Sequence, residues 1–88
     1  MSWIPTLTLG ISIRSGTIQS PGDGIPVNVQ LNMPFPTNNY VVILTPYIIS
    51  KLNNIPQAWI SDTLTPGSFT FTTKQADGVY WIATYSNS

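Results

Sequence analysis

The chain has few side chains that can move protons. Its acidic residues are Asp23, Asp62 and Asp77, its basic residues are Arg14, Lys51 and Lys74, and it has no histidine, glutamate or cysteine. General acid–base catalysis needs a group whose pKa can be brought near neutrality, most often His, Glu or Asp. The three aspartates are far apart in sequence and sit at or near turns and strand edges, where carboxylates ordinarily serve turn geometry. They make neither the closely spaced pair of glycoside hydrolysis nor a cage for a hard cation. Serines and threonines are plentiful, but Lys51 and Lys74 lie in expected loops, not in the buried setting that would lower a lysine's pKa for a Ser–Lys pair. No glycine-rich loop opens a helix, so there is no phosphate cradle. These absences point away from an enzyme, and no cofactor or metal is expected.

Net charge is zero and only 7% of residues are charged, against about a quarter in ordinary soluble domains. A neutral chain has no electrostatic footprint for nucleic acid and no basic face for anionic lipid. No stretch is long enough to span a membrane, and the start, Met1 to Pro5, lacks the pattern of a signal peptide. Recognition must then run on amides, hydroxyls and aromatic faces. The aromatics number ten. Phe69, Phe71 and Trp81 read as core. Trp59, Tyr47, Tyr80 and Tyr85 occupy positions facing both ways, where an apolar body with a polar handle suits a sugar or a subunit interface. For Trp59 the interface is the favoured reading. Asp23, Lys51, Asn53 and Asn54 lie in turns and loops and complete the set of candidate ligand or subunit contacts.

The elements that must position these groups are strands, because the hydrophobic period is two almost throughout. Leu7, Leu9, Ile11 and Ile13 share one face of a half-buried strand, with Thr6, Thr8, Ser12 and Arg14 on the other. Ser15-Gly16 interrupts it, and Thr17 to Gln19 continues it after a bulge or turn. The sequence Pro21-Gly22-Asp23-Gly24 is a turn. Val27 to Met33 alternates as a second strand, closed by Pro34-Phe35-Pro36. Tyr40 to Thr45 is apolar on both faces, which reads as a central strand covered on two sides. The region 47–56 is the least legible. Gln57 to Leu64 makes a strand of mixed pattern with Asp62 oddly placed. Thr65-Pro66-Gly67 turns the chain, Phe69 and Phe71 face in, Lys74 to Gly78 is a hairpin loop, and Val79 to Tyr85 closes the domain. Six or seven strands with turns about every ten residues indicate one all-β domain over residues 1–88, a β-sandwich or a barrel. A domain this small without disulfides sits near the margin of stability, and oligomerisation is the remaining way to bury more surface.

Residues 13–86 also resemble a family. Ser15-Gly16-Thr17-Ile18-Gln19, the strand from Val27 into Met33-Pro34-Phe35-Pro36, Tyr40 to Pro46, Thr65-Pro66-Gly67-Ser68-Phe69, and Tyr80-Trp81-Ile82-Ala83 fall in the order found in bacteriophage tail-fibre carboxy-terminal domains. The related H-type lectins share this pattern. The resemblance implies an H-type-lectin-like sandwich of six strands, a homotrimer, and recognition of a host surface glycan or protein at the tip of a virion assembled in the host cytoplasm. The chain departs from the lectins at Ile55-Pro56-Gln57-Ala58, which lacks their basic residue, and at Lys74 to Gly78, which lacks their aromatic and histidine. Fold and trimerisation therefore carry over better than sugar specificity. The competing expectation is a structural virion component, a decoration, adaptor or trimerisation cap contacting other particle proteins.

Overall fold

A computed structural model describes residues 11–50 and 53–86. Six strands follow in order: β1 (Ile11–Gln19), β2 (Val27–Gln30), β3 (Val41–Tyr47), β4 (Gln57–Ile60), β5 (Ser68–Lys74) and β6 (Gly78–Ser86). They form two antiparallel three-stranded sheets, β1-β6-β3 and β2-β5-β4, and there is no helix among the described residues. The arrangement is consistent with a β-sandwich. The expected strand over residues 6–9 lies outside the described residues.

One core joins the sheets. Phe69 and Phe71 of β5 and Val79 and Ala83 of β6 are almost wholly buried, with Val29, Leu31, Phe35, Tyr40 and Trp81 around them. The Trp81 ring meets Phe69 edge-on at 5.1 Å between centroids, a favoured aromatic geometry. The core reading of Phe69, Phe71 and Trp81 is what the structure shows.

Tyr40 fastens the closing turn of the second sheet. Its buried hydroxyl donates toward the carbonyls of Thr65 and Ser68, at 2.8 and 2.9 Å, and burial raises its pKa above the ordinary tyrosine value. The raised value means that the unfolded chain loses this proton first as pH rises. The phenol's contribution is therefore complete below the ordinary tyrosine range, near ~10, and is lost as pH climbs through the folded value. Tyr40→Phe should cost about 1 kcal/mol at neutral pH. Urea midpoints of the two proteins should converge in alkali, and a gap that widens there would refute the assignment.

Four strands differ from the sequence reading: β2 ends at Gln30, short of the expected Met33, and β1, β3 and β4 depart in other ways. First, β1 runs unbroken through Ser15-Gly16, and its faces are inverted. Ser12, Arg14, Gly16 and Ile18 point inward, while Ile11 and Ile13 are exposed. Gly16 lies opposite Trp81, whose indole covers it so closely that an added Cβ would sit 2.8 Å from the ring. That approach and the inward Ile18 fix the register, and a period of two then places Arg14 inside. Arg14 accommodates this by laying its guanidinium over the Phe35 ring, 4.8 Å from the centroid, and donating from Nε to the Met33 carbonyl at 3.1 Å. Arginine tolerates such a site because its stem packs while its planar head stacks on an aromatic face.

Second, β3 is an edge strand, not a central one. Val42 and Leu44 pack on the core, but Val41 and Ile43 stand on the outer face, exposed, with nothing among the described residues above them. β4 is also shorter than the expected strand. It ends at Ile60, and Asp62 lies beyond it, exposed, accepting the Thr63 backbone N–H at 2.7 Å. That placement explains why its side chain broke the alternation.

Candidate binding surface

Three loops converge at one end of the sheets: β1–β2, β3–β4 and β5–β6. Asp77 holds them. Its backbone N–H donates to the Tyr47 carbonyl and its carbonyl accepts from the Ser20 N–H, both at 2.9 Å. Its carboxylate accepts the backbone N–H groups of Ile49 and Ser50 and the Ser50 hydroxyl. A carboxylate so supplied with donors is a structural anchor, and the turn role read for it from the sequence is extended to a whole loop cluster. Asp23 does related work, accepting the Gln75 N–H at 2.8 Å, where Gln75 has a left-handed φ of 59°. The carboxylate holds a conformation that a residue with a Cβ adopts at a cost.

Between these loops lies a cleft of about 570 Å³, bordered by Ser20, Tyr47, Ile49, Ser50 and Asp77 among others. Tyr47 packs over Gly78, its cross-strand partner, where any Cβ would collide with the phenol. The Tyr47 ring also lies 4.9 Å from that of Tyr80. The structure therefore brings Tyr47 and Tyr80 together and places Asp23 in the neighbouring loop. Asn53 is exposed and Asn54 half-buried in the loop before β4, and Lys51 lies outside the described residues. Tyr85 is half-buried on the inner face, its ring 5.8 Å from Phe35. Its position is that of a core partner, set by the strand parity it shares with Trp81 and Ala83.

Trp59 lies on a different surface, the outer face of β2-β5-β4. It is 43% exposed and opposite Thr72. Around it are neutral hydrogen-bonding groups. Thr72 donates to the Ser61 hydroxyl at 2.8 Å, Asn28 Nδ2 donates to the Thr70 hydroxyl at 3.0 Å, and Gln30 Nε2 donates to the Asn28 carbonyl oxygen. The same strand parity puts the cationic Lys74 at the loop end of this face, opposite Gln57. Asn28, Gln30, Thr70 and Thr72 were not singled out from the sequence. Their signal was the polar half of the alternation in β2 and β5, which identifies a solvated face but says nothing of what it meets.

The opposite outer face, on β1-β6-β3, has contrary chemistry: Ile11, Ile13, Val41, Ile43, Tyr80 and Ile82 are all exposed there. Among the described residues there is no cluster of three metal-ligating side chains and no helix long and apolar enough to cross a membrane. Comparison with protein-family models, with curated proteins and with solved structures finds no match to the chain.

Proposed function

We propose that this chain is a non-enzymatic binding module of a bacteriophage particle, a tail-fibre tip of H-type-lectin-like fold that works as a homotrimer and recognises a host cell-surface glycan or protein. The observation that carries the binding role is Trp59, an indole exposed on a face of amides and hydroxyls whose one charge among the described residues, Lys74, stands at the loop end. An aromatic plane stacks on the apolar C–H face of a sugar ring, while neighbouring amides and hydroxyls exchange hydrogen bonds with its hydroxyls without the cost of desolvating charge. The assignment to a phage particle draws on the order of the sequence motifs from Ser15 to Ala83. The two antiparallel sheets support this reading at the level of a β-sandwich.

The test is a glycan array and a host-cell pull-down with the wild-type chain and Trp59→Ala. Wild-type binding that weakens about tenfold in the variant is expected, equivalent to ~1.4 kcal/mol for one lost stacking contact. Undiminished binding by Trp59→Ala would remove this face from the site. The second reading, a structural virion component, is favoured by the exposed apolar face of β1-β6-β3. It takes precedence if neither glycan nor host surface is bound and another particle protein binds tightly.

A further inference from the structure

The outer face of the β1-β6-β3 sheet has the composition of a core and the position of a surface. Cross-strand register stacks its side chains in rows: Ile13, Thr84 and Val41; then Ser15, Ile82 and Ile43; then Thr17, Tyr80 and Thr45. Ile11, Ile13, Val41, Ile43, Tyr80 and Ile82 are between 42% and 69% exposed. The surface they show to solvent comes to roughly 600 Å², at the upper end of the largest apolar patch on a typical monomer.

We infer that this face is where copies of this chain meet, so that the outer sheet of one copy is buried against another. Three observations select a second copy as the occupant. The described part of the face carries no charged side chain, since Arg14 on β1 points inward. Identical faces can therefore meet without like-charge repulsion, whereas an acidic or basic partner would find nothing to pair with. With the Ser and Thr side chains between the apolar ones, the area offered by each copy approaches the ~800 Å² per partner of a standard stable interface. Finally, the chain has no disulfide and few residues, so burying this surface supplies the stabilisation that a domain of this size lacks. A membrane surface fits less well, because no Lys or Arg on the face is placed to meet lipid headgroups.

This inference rests on the homo-oligomer in the reading above and assigns the face that makes it. The test is the solution mass of the full chain by sedimentation equilibrium, from about 1 to 100 μM, a range that captures micromolar association. The expected mass is an integer multiple, above one, of 9.6 kDa. The double variant Ile43→Lys/Ile82→Lys should fall to monomer with its far-UV circular dichroism unchanged, and Thr70→Lys on the opposite face should keep the wild-type mass. If the lysines prevent folding, Ile43→Thr/Ile82→Thr keeps β-branched side chains in the strands and should still lower the association constant at least tenfold. A wild-type monomer throughout the range overturns both the oligomer and the face, including one that floats with zwitterionic vesicles or pairs only with another particle protein. A wild-type oligomer that survives both double variants in folded form overturns the face alone and leaves the oligomer standing. Neither result bears on Trp59, whose binding is read separately.

Discussion

Phe71→Ala is expected to cost this domain about 3–5 kcal/mol, a large share of its stability. Phe71 is fully buried at the centre of the middle strand of its sheet, opposite Val27 on one side and Ile60 on the other. Deleting its ring forfeits the transfer energy of the lost atoms and leaves a cavity that the surrounding strands close only in part, at a cost of about 3–5 kcal/mol. At ~0.05–0.15 kcal/mol per residue, a chain of this length has only roughly 4–13 kcal/mol to lose. No disulfide limits the unfolded ensemble. Chemical denaturation followed by tryptophan fluorescence should show the transition moved to much lower urea. A loss below about 1 kcal/mol would contradict the placement of Phe71. Self-association through the apolar outer sheet would raise the wild-type midpoint with protein concentration, so the two proteins must be compared at one concentration.

Much of the architecture was legible in the sequence, because a period of two and proline–glycine turns are local signals. The strands from Val27, Tyr40, Ser68 and Val79, and the turns at Pro21 to Gly24 and Thr65 to Gly67, follow from them. What alternation cannot state is which of its two faces lies inside. In β1 the apolar half, Ile11 and Ile13, reads as core in isolation, yet Trp81 across the sheet decides otherwise. In β3, Val41 and Ile43 read as covered because both faces are apolar, and no cover is found among the described residues. Both differences fall on the same sheet and the same side. That is the pattern expected if this side of the sheet is buried in the proposed assembly of copies.

The candidate surface was legible in kind and less so in place. A composition without His, Glu or Cys pointed to amides, hydroxyls and aromatics, and Trp59 stands out because its neighbours Ser61 and Thr63 share its parity. That Asn28 and Gln30 share its face depends on the pairing of β2 with β5, residues about forty apart along the chain. No local pattern encodes that pairing. The convergence of Tyr47 with Tyr80, and the role of Asp77 in holding three loops, are likewise products of topology.

Gly16→Val separates local preference from tertiary packing most sharply. Gly16 is in the middle of β1, paired with Trp81 of the central strand. By strand propensity alone valine should stabilise this position, since β-branched residues favour strands and glycine weakens them, over a scale of ~1 kcal/mol. The geometry demands the opposite. A Cβ at Gly16 would lie 2.8–2.9 Å from three atoms of the Trp81 indole, closer than carbon atoms approach without strain, and valine adds two methyl groups beyond it. The indole cannot swing aside freely, because it packs edge-on against Phe69 of the other sheet. Overpacking of this kind costs about 1–3 kcal/mol, more where neighbours are fixed, so after the ~1 kcal/mol of strand propensity the net effect should be a loss of about 2 kcal/mol. Trp81→Phe shortens the ring that covers Gly16, and in that background Gly16→Val should cost less, giving a coupling energy of about 1 kcal/mol or more in a double-mutant cycle. A Gly16→Val protein as stable as wild type would mean that the indole does not cover this backbone. The register that turns Ile11 and Ile13 outward would then lose its cause, and with it part of the reason for an apolar outer sheet.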